Sequence, residues 1–278
     1  MKSDIDIAVS IVLYKSERDA IQQLLSDIFG CNKKIFILLI DNSPTDDLKT
    51  CTNDPRVKYI FNNANLGYGA AHNIGLEESS KRGIKYHLVV NPDISFQSNV
   101  LSTLYDFMDN HEEVGLVMPK VCYEDGSLQR LCKLLPTPFD LIGRRFFPAS
   151  LVKNSNMRYE LHTFEYNTIL DTACLSGCFM FLRTDVLKKS GLFDPRYFMY
   201  LEDYDLVRRI HRFSKTICYP FVSITHGHKK ESYQNKTLLK IHLKSAISYF
   251  NKWGWFFDKE RKIVNKQVLS NLNKSTVI

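Results

Sequence analysis

Unbroken apolar runs alternate with segments whose apolar residues recur every three or four positions. Ile7-Ala8-Val9-Ser10-Ile11-Val12-Leu13 reads as a buried strand, and Ile35 to Ile40 as a second. Between them, Ser16 with Asp19 makes a capping-box-like start. Ile21, Leu24, Leu25 and Ile28 follow at helical spacing, and Gly30 ends the helix. Val57 to Phe61 is a third strand, Gly69 to Ser79 a helix, and Tyr86 to Val90 a fourth strand. This alternation predicts an α/β fold, a Rossmann-like and mainly parallel sheet flanked by helices. Ligands of such sheets bind beyond the carboxyl ends of the strands. Tyr14, Asp41 and Asp93 each follow or end a predicted strand, so all three should stand on that edge.

Further along, the pattern loosens. Residues 114–175 show no clear period; Glu124 to Ser127 reads as a hairpin turn, and Leu134 to Pro138 and Gly143-Arg144-Arg145 as irregular chain. Leu175 to Arg183 is a strand interrupted at Ser176-Gly177, and Thr184 to Lys189 a short helix closed by Gly191. An acidic stretch, Glu202-Asp203-Tyr204-Asp205, opens an amphipathic helix to about Phe213. Thr216 to Val222 is the last predicted strand, leading to Thr225-His226-Gly227-His228. The remainder reads as helical, basic and aromatic. The expected division is a domain over 1–228, with a nucleotide-binding half (about 1–115) and an acceptor-binding half (about 116–228), and a helical tail over 229–278.

Composition adds two constraints. The net charge of +7 sits in the tail: from Lys229 onward eleven Lys and Arg face three acids, while the preceding residues hold 26 against 27. Such a tail suits an anionic surface, a membrane above all, and equally a solvated helix face. Nucleic acid is not an expected partner. Seven scattered cysteines without C-x-x-C spacing read as reduced, mostly buried thiols rather than zinc ligands. The first residues carry acids and no signal-peptide pattern, so a cytoplasmic location is expected.

Three stretches carry candidate chemistry. Gly67-x-Gly69-x-x-His72 approaches a dinucleotide fingerprint, but lacks its third glycine and follows the third strand, which argues against a nicotinamide cofactor. A glycine turn feeding a helix can still approach a phosphate or a sugar. Asp93, after a strand and Pro92, is placed to bind Mg²⁺ or Mn²⁺ bridging a diphosphate, and His226 beyond a later strand could complete that site. Glu202-Asp203 at a helix start could supply a general base, kept ionised by the helix N-terminus; an acidic first turn serving only as a cap reads the same way. A nucleotide edge, a divalent metal and a separate base together suit sugar transfer from a nucleotide donor.

The order of these motifs resembles the family 2 inverting glycosyltransferases of the GT-A fold, bacterial rhamnosyltransferases among them. The resemblance runs from about Ile7 to Phe257. It is carried by Val9 to Tyr14, Asp41-Asn42-Ser43, Asn65 to Asn73, Asn91-Pro92-Asp93, Asp125 to Gln129, Ser176 to Met180, and Phe193-Asp194 through Glu202 to Leu206. It implies that Asp203 is the catalytic base, supported by Glu202. It implies that Tyr14, Asp41, Asn65, Gly67, Asn73, Asn91, Asp93 and Gly177 line the donor and acceptor sites, Gly177 on the acceptor side. Asp93 and His226 would hold the metal; Asn91 replaces the first aspartate of the family's D-x-D motif, leaving Asp93 as the main carboxylate ligand. The donor implied is dTDP-L-rhamnose, with another nucleotide sugar such as a UDP-hexose as the alternative. The acceptor implied is a lipid-linked oligosaccharide of surface-polysaccharide synthesis at the inner face of the cytoplasmic membrane, where Trp253 and Trp255 would suit the interface. A non-catalytic sugar- or partner-binding module is the contrasting reading, and the retained metal and base carboxylates argue against it.

Overall fold

The computed structural model describes residues 3–143, 146–227 and 236–275. Arg144-Arg145, His228 and the expected boundary at 228/229 lie outside the described residues. One mixed sheet organises the molecule, in the order β3-β2-β1-β4-β8-β6-β9-β5, with β7 paired to β9. Its strands are β1 (Ile7–Leu13), β2 (Ile35–Asp41), β3 (Val57–Phe61), β4 (Tyr86–Val90), β5 (Ile94–Phe96), β6 (Val114–Cys122), β7 (Leu170–Asp171), β8 (Phe179–Arg183) and β9 (Lys215–His226). β1 to β4 are mutually parallel, β8 turns antiparallel between β4 and β6, and β9 runs parallel to β6. Every residue of β1 and β4 is buried, as expected of strands covered on both faces.

Eight α-helices surround the sheet among the described residues: α1 (Arg18–Phe29), α2 (Tyr68–Lys81), α3 (Asn99–Asn110), α4 (Ala149–Tyr159), α5 (Thr184–Ser190), α6 (Glu202–His211), α7 (Lys236–Trp253) and α8 (Lys259–Ser275). None is long and apolar enough to cross a membrane. Five elements escaped the sequence pattern, α4 among them, inside the stretch read as having no clear period. In β6, Gly115 and Pro119 break the apolar run, and the pairing with β9 slips in register at both places. β5 and β7 are too short for any period to show. α3 buries Val100, Leu101, Leu104 and Met108 at helical spacing, a signal present but unread. Two expectations are corrected. Ser16 does not cap α1, whose N-cap is Glu17, and its hydroxyl accepts from the Tyr14 N–H instead. β8 begins at Phe179 rather than Leu175, because Ser176-Gly177 leaves the ladder to meet Asp203.

The C-terminal helices grip the helix that carries Asp203. Arg208 of α6 is 1% exposed and forms a two-pronged pair with Asp258, at 2.6 and 2.8 Å, and a further pair with Glu260 at 2.9 Å. Its guanidinium lies 4.1 Å from the centre of the Trp253 ring. Asp205, fully buried, accepts from Arg209 Nε and from the Trp253 indole N–H, both at 2.8 Å, and pairs with Lys252 at 2.6 Å. Both tryptophans, expected at a membrane interface, make contacts within the fold. Trp253 is committed to Asp205 and Arg208, and Trp255 packs 5.3 Å from the Phe250 ring with its N–H on Asn251. Between α7 and α8, the aromatics that stand in solvent are Phe256 and Phe257, 74% and 92% exposed.

Candidate active site

The carboxyl edge of β1 to β4 carries the predicted donor residues. Tyr14 follows β1 with its ring about half exposed. Asp41 ends β2 and is buried, Oδ1 accepting from the Ser43 N–H at 2.8 Å and Oδ2 from the Tyr59 hydroxyl at 2.6 Å. Its neighbour Asn42, for which the sequence suggested no role, holds the glycine turn. Asn42 Nδ2 donates to the Gly67 carbonyl at 3.2 Å, and Asn65 Oδ1 accepts the Gly67 N–H at 3.0 Å. Gly67 itself has φ 85°, and a Cβ there would overlap the Phe198 carbonyl. The close approach it permits is therefore to the chain's own backbone. Asn73, expected among the donor contacts, is turned away: its amide donates to the Phe193 carbonyl and accepts the Phe193 N–H, both at 2.9 Å. It fastens α2 to the segment that leads into α6.

Asn91 and Asp93 occupy the turn between β4 and β5. The β5–β9 pairing sets His226 opposite Ile94, one residue from Asp93. His226 Nε2 then lies 3.5 Å from Asp93 Oδ1 and 3.4 Å from Asn91 Nδ2. His226 is buried while Asp93 is exposed, so the pair forms a floor and a rim. Behind His226, Nδ1 meets Gln129 Oε1 at 3.0 Å. Glu124, on the hairpin before Gln129, brings Oε1 3.2 Å from where a Cβ on Gly227 would sit. No three His, Cys, Asp or Glu residues converge as a metal cage among the described residues. One carboxylate and one imidazole do match the sparse protein ligation of Mg²⁺ or Mn²⁺ ions that take further oxygens from phosphate and water.

Asp203 lies near this turn through a chain of three links. The Tyr68 hydroxyl sits 2.9 Å from Asn91 Oδ1 and 2.7 Å from the Gly177 carbonyl. The Gly177 N–H donates to Asp203 Oδ2 at 2.7 Å, and the Tyr204 N–H to Oδ1 at 2.8 Å. A Cβ on Gly177 would come 3.0 Å from the Asp203 Cβ, so glycine is what lets the two approach. Burial pushes Asp203 above the ordinary aspartate range, against the opposing pull of those two N–H groups. The helix N-terminus alone does not keep it strongly acidic, which revises the sequence expectation. Glu202 is buried, its Oε2 has no hydrogen-bond partner, and burial reinforced by the Asp203 charge raises it well above the usual range. Both carboxyls are thus raised, and in Glu202 the Asp203 charge adds to burial.

The lead-in to α6 is strained. Tyr200 and Leu201 both have left-handed backbones, with φ 70° and 69°, at a cost of about 1–3 kcal/mol each for residues with side chains. α7 holds them there: Ser245 Oγ donates to the Met199 carbonyl at 2.8 Å, and the His242 ring packs 5.4 Å from Tyr200. Tyr68, Asn42 and Gln129 are thus the residues that sequence reasoning left without roles. All three lie inside the quoted motifs, beside residues whose polar chemistry drew the attention.

Residues 9–191 match the profile of a family described as Glycosyl transferase family 2. The chain is 23% identical over 271 residues to Rhamnosyltransferase WbbL of Escherichia coli K12, covering 95% of each chain. It is 24% identical over 220 residues to the N-acetylglucosaminyl-diphospho-decaprenol L-rhamnosyltransferase of Mycobacterium tuberculosis, covering 74% of this chain and 70% of that one. It is 25% identical over 213 residues to the low-salt glycan biosynthesis hexosyltransferase Agl10 of Haloferax volcanii, covering 74% of this chain but 62% of that relative's length. Among solved structures, GalNAc-T7 with UDP, GalNAc and Mn²⁺ superposes with a TM-score of 0.61 at 14% identity, over 90% of this chain and 50% of that one. The mannosyltransferase PcManGT of Pyrobaculum calidifontis, in complex with GDP-Man and Mn²⁺, gives 0.57 at 14% identity over 98% and 74%. These two likenesses establish the fold.

Proposed function

The chain belongs to glycosyl transferase family 2, and from that premise we propose that it transfers a hexosyl unit from a nucleoside-diphosphate sugar to an acceptor hydroxyl by one inverting displacement. The observation that carries this reading is the Asn91–Tyr68–Gly177–Asp203 chain, which joins the Asn91–Asp93 turn to a half-buried carboxylate. Asp203 takes the proton of the attacking hydroxyl; its raised affinity for protons suits a base that works near neutrality. Burial and the Asp203 charge favour the neutral form of Glu202 beside it. Asp93 and His226 would hold Mg²⁺ or Mn²⁺, which supplies charge stabilisation for the departing diphosphate. The Mn²⁺ of the two similarly folded enzymes supports this assignment. Tyr14 offers its exposed ring to the nucleotide base beside Asp41, and Asn65 and Gly67 shape the wall between them.

The donor is read at the level of a nucleotide hexose, with UDP-hexoses as its first members. dTDP-L-rhamnose is the second reading, favoured by the relatives named as rhamnosyltransferases. A lipid-linked oligosaccharide acceptor at the cytoplasmic membrane face follows from the diphospho-decaprenol in one relative's name and from the exposed Phe256-Phe257 beside a lysine-rich segment. The division into donor half, acceptor half and basic tail is part of the same proposal. The deciding experiment is transfer and hydrolysis across a panel of UDP-, GDP- and dTDP-sugars with Mg²⁺, Mn²⁺ or chelator. Turnover of one donor class that the chelator abolishes is expected. Inertness towards every nucleotide sugar would overturn the reading, and turnover indifferent to chelator would remove the metal from it.

A further inference from the structure

We propose that Gln129 is a positioning residue that fixes which nitrogen of His226 is offered to a cation beside Asp93. The inference rests on the metal-assisted reading above. Gln129 is buried, and its backbone N–H is pinned to the Val121 carbonyl at 2.9 Å, at the bridge where Cys122 pairs with Leu128. Its side-chain Nε2 donates to the His226 carbonyl at 2.9 Å and reaches towards the Cys122 carbonyl at 3.4 Å. With the NH₂ facing two carbonyl oxygens, Oε1 is the end that meets the ring, 3.0 Å from His226 Nδ1. An amide oxygen can only accept, so Nδ1 carries the ring proton and Nε2 the lone pair.

Nε2 is the atom turned towards Asp93 and Asn91. A neutral imidazole can carry its proton on either nitrogen; with the proton on Nε2, the ring would donate to Asp93 and exclude a cation. Gln129 removes that alternative, gripping the backbone and the ring of the same residue. Histidines that bind metals usually donate their second N–H to such a partner, and loss of the partner typically costs about 10–100-fold in metal affinity. A purely structural tie between hairpin and β9 would use the same distances, but would not govern where the ring proton sits.

Gln129→Met keeps the length of the side chain and removes both amide functions. The ¹⁵N spectrum of the His226 ring, assigned by its absence in His226→Ala, should show Nδ1–H in the wild type and a shift towards Nε2–H in Gln129→Met. Calorimetric binding of UDP and dTDP should be strengthened by Mn²⁺ in the wild type. In Gln129→Met that Mn²⁺-dependent affinity should fall about 10–100-fold, with metal-free binding unchanged. Gln129→Glu, which retains an acceptor for Nδ1–H, should keep the wild-type tautomer and most of the Mn²⁺ effect, and decides the matter if the methionine variant folds poorly. A wild-type ring protonated on Nε2, or unchanged Mn²⁺-dependent affinity in Gln129→Met, overturns the inference. Wild-type nucleotide binding indifferent to Mn²⁺ overturns the metal-assisted reading itself and the inference with it.

Discussion

Asp203→Asn keeps the shape of the side chain and removes its capacity to accept a proton. Turnover should fall by about 10²–10⁴-fold while nucleotide binding stays within a few-fold of wild type. Steady-state kinetics with a binding isotherm checks this, and near-normal turnover would remove Asp203 as the base. Gly177→Ala tests the close approach: a Cβ 3.0 Å from that of Asp203 must displace the carboxylate. A loss of about tenfold or more in kcat is expected, since small misplacements of a reacting group are costly. At this scale the sequence singled out Asp93 and Asp203 as candidates by their chemistry alone. It was mute for Tyr68 and Asn42, whose importance lies in which distant backbone they reach.

Two buried histidines beneath the donor edge give a pH prediction. Ser79 donates to the Gly75 carbonyl, so His87 Nδ1–H donates to Ser79, Ser10 donates to His87 Nε2, and His72 Nδ1–H donates to Ser10. Burial holds both rings neutral, His87 down to about 3 and His72 well below its usual value. The unfolded chain takes up these protons near pH 6.5 and the folded chain does not. Stability contributed by the neutral rings is therefore lost as pH falls from about 6.5 towards the folded values, by about 1.4 kcal/mol per pH unit for each ring. Urea unfolding at several pH values should show His87→Gln with a shallower decline than wild type; identical slopes would count against the assignment.

Among the elements, α6 is the one that places the proposed base. Its strained lead-in and its buried acid Asp205 are both held by α7, and its Arg208 by the α7–α8 connection and the start of α8. Arg208→Met would leave buried Asp258 with only the more distant Arg261, 4.0 Å away, at a cost of up to about 3–5 kcal/mol measurable by urea unfolding. Adding Asp258→Asn should restore part of that loss. Here the sequence showed the acidic first turn and the arginines that follow, but the partner of Arg208 lies 50 residues away and no local period encodes it. β6 escaped for the opposite reason: its position was local, and a glycine and a proline disguised it.

For the whole molecule, the aromatic surface has moved by a few residues from where composition alone put it. Phe256→Ser with Phe257→Ser should weaken sedimentation with anionic vesicles by about tenfold or more, given roughly 1.5–3 kcal/mol for burying one such ring. Melting should be little changed, because both rings already face solvent. Equal sedimentation of variant and wild type would remove these rings as the anchor. Deleting the whole basic segment is a poor substitute, since it would also take away the supports of α6. Strand alternation made the first half of the sheet readable, because β1 to β4 follow one another in the chain. The remainder was harder, because β8 and β9 return to the sheet out of chain order and the strained backbone at Tyr200-Leu201 has no signature in residue type.

The dependence of α6 on residues some 50 positions later also bears on the order of events during synthesis. A growing chain can pair β1 to β4 and close their core long before Trp253, Asp258 and Glu260 have left the ribosome. Until they emerge, Arg208 and Asp205 have no lasting partners on that side and the left-handed pair before α6 has nothing to brace it. The Asp203 carboxylate is therefore set in place only after residue 260 has emerged, so a chain halted before that point would carry β1 to β4 without a braced α6.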